Sequence, residues 1–321
     1  MTKKRKINDK NKDEKKNERF EEINELENID EEIKNTIKKI EEVRKRRCFV
    51  LWKEITPQLV EEIFDELRTS YKDLNGELDV IVHSGGGDID ASYNLACLFQ
   101  RFGNKKLTFI VPRWAKSAAT LLVCAGDEIL MTPIAELGPL DPQITQINPL
   151  EERFEQFSPL HIQTTLEMIR NEFENGNKDL AEGLLKRLQF PLTLGSFIKS
   201  HEIAEQYLVR LLKSRMAKTG KLGATPEEIA ERLTREYADH GFCINIDEAK
   251  KIGLNVQEMD DTMLDLIWKL FKLLKKKDDI IRKKKKEEME KIIKNLPLDI
   301  LKKLTQEKTK ENPQEEVEKN E

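Results

Sequence analysis

Apolar positions change their period twice along this chain. Phe20, Ile23, Leu26, Ile29, Ile33 and Ile37 recur three to four apart, the period of one narrow helical stripe. From residue 47 the apolar runs become short and continuous: RCFVLW (47–52), LDVIVHS (78–84), KLTFIVP (106–112) and EILMTP (128–133). Runs of that length and content read as buried strands. Helical stretches separate them. TPQLVEEIFDELRTSY (56–71) opens with Thr56 as N-cap and Pro57 at the first helical position. DIDASYNLACLFQRF (88–102) follows the second strand, and a further helix starts near Ser117.

Strands alternating with helices at this spacing predict right-handed crossovers and a largely parallel sheet covered on both faces. From 160 to 239 the pattern is helical almost throughout, and from 262 to 296 apolar and basic residues alternate at helix period before a glutamate-rich tail. The expected organisation is a charged, disordered-to-helical arm over 1–46, an α/β domain with its helical region over 47–258, and an amphipathic helix with a charged tail over 259–321.

Composition narrows what such a domain can do. Of 321 residues 38% are apolar and 36% charged, with 56 basic against 60 acidic side chains and a net charge of −4. That balance gives no drive toward nucleic acid. No stretch approaches the roughly 18 uninterrupted apolar residues of a membrane helix, and no apolar core follows the basic start. The expectation is a cytosolic protein. Cys48, Cys97, Cys124 and Cys243 lack CxxC spacing and read as reduced thiols, three of them in the core. Neither histidines nor cysteines show metal-ligand spacing, and no cofactor is expected.

In an open parallel sheet ligands gather at the carboxyl ends of the strands. Three unusual stretches fall there: HSGGGDID after the second strand, RWAKSAAT after the third and AELGPLDPQ after the fourth. Gly85, Gly86 and Gly87 can take positive φ and turn bare N–H groups toward a ligand, phosphate and oxyanion alike, or simply make a tight turn. No GxGxxG or GK[ST] accompanies them. Ser117, at a helix start, is either an N-cap or a nucleophile; Ala118 and Ala119 leave room beside it. Asp88 reads as the cap of the helix after the glycines, and Asp141 as a turn residue before Pro142 or as a site carboxylate.

SGGGDID, AKSAAT, CAGDEI and LGPLDPQ together resemble the Clp fold serine proteases, most of all the serine dehydrogenase proteinases, relatives of the Clp protease subunit and of signal peptide peptidase A. The resemblance covers residues 47–145 and returns at DHGFCINIDEAKKIGLNV (239–256), leaving the charged ends outside. It implies a Clp/crotonase-like α/β fold and a serine peptidase acting on peptide or protein substrates. Ser117 would be the nucleophile, and the amides of Gly87 and Ala118 the oxyanion hole. Gly85 and Gly86 would hold the substrate strand. The Clp subunit's histidine, about two dozen residues after the serine, has no counterpart here, and no lysine occurs from Ala118 to Asn177. The family order serine, aspartate, histidine fits Ser117, Asp141 and His240. His161 and His201 stand in amphipathic helices, and His83 borders the glycines.

Relatives suggest a homo-oligomer, as rings. Family members often carry an N-terminal membrane helix, which this sequence does not show. Two other readings compete: a crotonase-like acyl-thioester enzyme that uses paired amides without a nucleophile, and a non-catalytic oligomeric scaffold. The scaffold reading rests on the basic stretch around Trp268 and Phe271, whose composition suits a membrane surface; a charged helix packed on a neighbouring subunit is the stronger reading of that stretch.

Overall fold

A computed structural model describes residues 3–71, 75–141, 144–148, 153–157, 159–187, 194–237 and 239–295. The chain forms two compact units, one from residues 1–46 with 260–301 and the other centred on 47–259.

The first element, α1 (Lys3–Arg44), belongs to the smaller unit and runs through the lysine- and glutamate-rich arm. Lys and Glu are good helix formers, so a charged run can propagate a helix without apolar positions. In the larger unit β1 (Arg47–Leu51), α2 (Pro57–Ser70), β2 (Glu77–Val82), α3 (Ile89–Phe102), β3 (Lys106–Val111), β4 (Trp114–Ala115), α4 (Ala118–Val123), β5 (Glu128–Met131) and β6 (Glu136–Leu137) follow in order. A hairpin β7 (Ile144–Asn148) and β8 (Arg153–Phe157) leads to α5 (Pro159–Glu174), α6 (Lys178–Arg187) and α7 (Leu194–Ser214). Then come a 3₁₀ turn (Met216–Thr219), α8 (Pro226–Arg235), α9 (Ile246–Ile252) and β9 (Val256–Glu258). The long α10 (Asp261–Asn295) returns to the smaller unit.

Strands β1, β2, β3, β5 and β9 lie side by side in that order, all parallel. The fold is α/β with a largely parallel main sheet. In β2 and β3 every residue after the first is buried, which is why these strands read as continuous rather than alternating apolar runs. The predicted caps are in place. Thr56 Oγ1 accepts from the Leu59 amide at 3.2 Å and Asp88 Oδ1 from the Ala91 amide at 2.7 Å. Helix α2 buries Leu59, Ile63 and Leu67, one side chain per turn.

At the amino end of the sheet, Asp127 joins several elements. Its carboxylate accepts from Arg215 through Nε at 3.0 Å and Nη2 at 2.7 Å, and from the Leu107 amide at 2.8 Å. Its carbonyl accepts from Asn255 at 2.8 Å. Burial opposes the charge of Asp127, but the Arg215 fork and the Leu107 amide outweigh it and hold the carboxyl below its usual range. Cys48 and Cys124 are buried, Cys97 half-buried and Cys243 exposed, all as free thiols; burial pushes the Cys124 thiol up to about 12.

In the smaller unit α1 packs on α10. Buried positions run along both: Ile29, Ile33, Thr36 and Ile40 on α1, and Met263, Ile267, Leu270 and Phe271 on α10. Ile23, part of the predicted stripe, is exposed. Lys276 pairs with Glu25 at 2.7 Å, Lys277 with Asp30 at 2.5 Å and Lys269 with Glu32 at 3.7 Å. The basic helix around Trp268 and Phe271 thus meets acidic side chains of its own chain, Glu25, Asp30 and Glu32. No helix among the described residues is long and apolar enough to cross a membrane.

The Asp127 junction yields a stability test. Arg215→Met leaves a half-buried carboxylate without its fork and is expected to cost about 2 kcal/mol, more than Asp127→Asn at about 1 kcal/mol, both read by chemical denaturation. Because the native pKa of Asp127 is depressed, its stabilisation holds above about pH 4, the unfolded value, and is lost as pH falls from there through the native pKa. Asp127→Asn should flatten that acid limb; an unchanged limb would refute the assignment.

Candidate active site

Beyond the carboxyl ends of β2 and β3 the chain builds a small layer of its own. Strand β4 pairs in parallel with β6, Trp114 opposite Glu136 and Ala115 opposite Leu137. On its other side Ser84 bridges Ala115: the Ser84 amide donates to the Trp114 carbonyl at 3.1 Å and the Lys116 amide to the Ser84 carbonyl at 3.0 Å. The three stretches singled out in the sequence are therefore hydrogen-bonded neighbours.

The glycine loop is set by Ile55. Its amide donates to the Gly86 carbonyl at 2.8 Å, and its carbonyl accepts from the Asp88 amide at 2.8 Å. The Gly87 amide lies between these two bonds and is not spent on either. Gly86 and Gly87 have φ of 110° and 136°, a region closed to most side chains. A β-carbon on Gly86 would stand 2.8 Å from the Lys116 carbonyl oxygen and 2.9 Å from Ser117 Cβ, and one on Gly87 would collide with the Ile55 backbone. Gly85, by contrast, has open space.

Ser117 occupies the N-cap position of α4 with φ 51° and ψ −124°, and its side chain makes no capping hydrogen bond. Positive φ at a non-glycine residue is uncommon and costs energy that the surroundings must supply. They do so on both sides. Gly86 presses on one flank, and on the other a β-carbon at Gly138 would stand 3.3 Å from the Ser117 amide and 2.8 Å from Lys116 Cδ. Beneath, the Thr120 hydroxyl lies 2.7 Å from the Ala115 carbonyl and 2.8 Å from that of Gly138, and accepts from the Gly138 amide at 3.0 Å. Ser92 Oγ donates to the Ala118 carbonyl at 2.5 Å. Ser117 is half-buried and Ala118 buried. The amides of Ala119 and Thr120 donate to Lys116 and Ser117 carbonyls, at 2.9 and 2.7 Å; that of Ala118 enters no such bond among the described residues.

Asp141 is buried three residues past Gly138, and the Leu140 amide before it donates to the Leu233 carbonyl at 2.8 Å. His201, on α7, lies within Coulombic range of Asp141. Burial, then the nearby Arg235 charge, lower the pKa of His201, against the opposing pull of Asp141 and Glu205. His240 lies in a turn whose Asp239 accepts from Gly241 at 2.7 Å through its carboxylate and from Phe242 at 3.1 Å through its carbonyl. Its Nδ1 is buried without a hydrogen-bond partner among the described residues. The turn approaches the serine through Ile244, which exchanges two backbone hydrogen bonds with Leu137, at 2.8 and 3.1 Å. His83 stacks between Trp52 at 4.1 Å and Trp114 at 4.7 Å. His161 falls in α5, outside the residues whose side chains are described.

Sequence reading missed Lys116, Glu136 and Gly138. Lys116 Nζ lies 3.0 Å from Glu136 Oε2 and donates to the Phe242 carbonyl at 3.1 Å. Arg113 donates to the other Glu136 oxygen at 2.5 Å. The Arg113 bond, with help from Lys116 and against burial, holds the Glu136 carboxyl below its ordinary value. The only signal in the sequence was the lysine standing next to the serine. No group of three or more His, Cys, Asp or Glu side chains among the described residues could hold a metal ion.

The packing predicts unequal glycines. Gly85→Ala should leave folding unchanged, whereas Gly86→Ala, strained by its positive φ at about 1–3 kcal/mol and pushed against Ser117, should lower the melting temperature. Equal melting of the two variants would contradict this geometry.

Comparison with known proteins places the site in context. Two uncharacterized proteins of Methanocaldococcus jannaschii are each 26% identical to this chain, over 206 and 226 residues, or 64% and 70% of its length. The chain spans 60% of the first relative and 68% of the second. Solved structures of similar shape include a membrane-bound stomatin-specific protease, 1510-N, at 16% identity with a TM-score of 0.40, covering 67% of this chain and 79% of that one. ClpP1 from Listeria monocytogenes follows at 15%, with a TM-score of 0.38 over 67% of this chain and 94% of its own. At TM-scores below 0.5 these likenesses add nothing to the reading of the site. The family match starts earlier than the sequence motifs, within the charged arm, and stops before the segment of His240. The resemblance carried by the glycine and serine motifs holds: residues 8–156, with Ser117, the glycine loop and Asp141 among them, match the ClpP-like SDH-type serine proteinases.

Proposed function

We propose that this protein is a serine peptidase that cleaves peptide bonds through an acyl-enzyme on Ser117. The observation that carries the reading is the conformation of Ser117: positive φ, no capping bond, and backbone without side chains on both flanks. A serine kept as a cap would spend its oxygen on the helix; this one does not. In the proposed reaction Ser117 Oγ attacks the peptide carbonyl as an imidazole takes its proton. The oxyanion that develops is held by the amides of Gly87 and Ala118, whose N–H groups the loop and helix leave available. Gly85 and Gly86 line the edge along which an extended substrate lies. The leaving amine collects the proton, and water then releases the acyl group by the reverse sequence. No metal or cofactor is needed for these steps.

His240 is the proposed base, because its turn is bonded to the layer that carries Ser117. Asp141 completes the proposed set of three. A second reading exchanges the histidines: His201 is the one that feels the Asp141 charge, and burial favours its neutral, proton-accepting form. The assembly is proposed to be a homo-oligomer acting on peptide or protein substrates.

Fluorophosphonate labelling of the purified, folded chain tests the chemistry, since only an activated serine reacts. Wild type should label and Ser117→Ala should not. Between His240→Ala and His201→Ala, the true base should lose labelling by about 10²–10⁴-fold. A folded wild type that stays unlabelled would favour the crotonase-like enzyme or the scaffold. Light scattering should give a mass of several chains at micromolar concentration; a monomer would refute the oligomer.

A further inference from the structure

Lys116 is the residue immediately before the proposed nucleophile, and its side chain does what the backbone there cannot. Its amide and carbonyl are committed to Ser84 and Ala119. Its stem crosses Gly138, where a β-carbon would stand 2.8 Å from Lys116 Cδ. Its ammonium ends between the Glu136 carboxylate at 3.0 Å and the Phe242 carbonyl at 3.1 Å. Phe242 lies two residues past His240 in the same turn, a turn closed by Asp239 on the amides of Gly241 and Phe242. The turn is therefore hinged at Ile244 by the backbone pair with Leu137 and fastened at Phe242 by Lys116.

Glu136 sets the aim of the fastening. Arg113 fixes one carboxylate oxygen and Lys116 the other, so the ammonium is held from the β6 side while it reaches for the turn. Lys116 and Glu136 side chains are 19% and 21% exposed, enough burial for the pair to keep a defined geometry where a surface pair would be screened. The turn also meets the Glu136 carboxylate through Cys243, whose thiol is pushed up by burial and by that charge, and it packs through the Phe242 ring on Tyr237, with centroids 4.6 Å apart.

We propose that Lys116 is a positioning residue: braced by Glu136, it latches the His240 turn to the strap that carries Ser117, so that base and nucleophile keep a fixed separation. This rests on the reading of Ser117 as nucleophile and His240 as base. The latch acts through His240 and does not itself exchange a proton with substrate. Its loss lets the turn swing about Ile244, which slows proton transfer while leaving the substrate edge at the glycine loop in place.

The test is a double-mutant cycle read as fluorophosphonate labelling, with saturation kinetics separating the maximal rate from probe affinity. Lys116→Met keeps the stem over Gly138 and removes the charge. It should lower the maximal rate by about 10- to 100-fold, the scale on which a misplaced catalytic group costs, with probe affinity unchanged. On a His240→Ala background, Lys116→Met should have no further effect, because the group it positions is already gone. Lys116→Gln replaces it if the methionine variant melts early. The proposal is overturned by a Lys116 variant that labels like wild type, or by one that slows the His240→Ala protein by the same factor. It is also overturned by one whose loss lies in affinity. If folded wild type does not label at all, the nucleophile reading has failed and the latch with it; if His240→Ala labels normally, only the choice of base and the latch fall.

Discussion

Everything at the carboxyl edge of this sheet turns on how closely three stretches of backbone approach at Ser117. Gly86 and Gly138 stand where a β-carbon would touch the Ser117 Cβ and amide, and that squeeze holds a serine at φ 51°. The conformation is costly and would relax if either flank opened. It survives because each flank is anchored elsewhere: Gly86 by Ile55, Gly138 by Thr120, and the strap itself by Ser84 and Leu137 through β4 and β6. Strain of this kind is retained where the surrounding structure over-determines it, and here its effect is to keep the Ser117 oxygen off the helix it caps.

The framework behind that edge was largely legible in the sequence. Parallel strands buried on both faces write themselves as mostly apolar runs, and β2, β3 and β5 do so, with Asp79 and Thr108 as the buried polar exceptions. The caps Thr56 and Asp88 have local chemistry, visible within three residues. Asp88 also shows why the local reading could be trusted there: its carboxylate is spent on the Ala91 amide. The same local reasoning leaves Ser117 open between a cap and a nucleophile, because its place between Gly86 and Gly138 is not contained in any window of neighbouring residues.

Long-range pairings were illegible for the same reason. Lys116 meets Phe242 across 126 positions, and Asp127 meets Arg215 across 88. Both pairs are polar, so no hydrophobic period announces them. The arms illustrate the point from the other side. The apolar stripe of α1 was visible, but its partner α10 reads from sequence as a basic amphipathic helix suited to a membrane or another subunit. The acidic residues Glu25, Asp30 and Glu32 of α1 pair with Lys276, Lys277 and Lys269 and account for that part of its charge. A basic face that faces acid in its own chain has less left to offer an anionic surface.

The two histidines divide what a general base requires. A base must be neutral near neutral pH, must be oriented, and must reach the proton it takes. His201 meets the first condition by burial and has Asp141 within Coulombic range, but it sits on α7, a helix that packs in the core and has little freedom to follow a substrate. His240 sits instead on a short turn whose place depends on Ile244 and on Lys116. A turn alone is a poor platform for proton transfer, because loops hold side chains less rigidly than helices do. An ammonium fixed by Glu136 and attached to the residue before the nucleophile compensates for that. The rigidity His240 lacks in its own segment is supplied from the segment it has to serve.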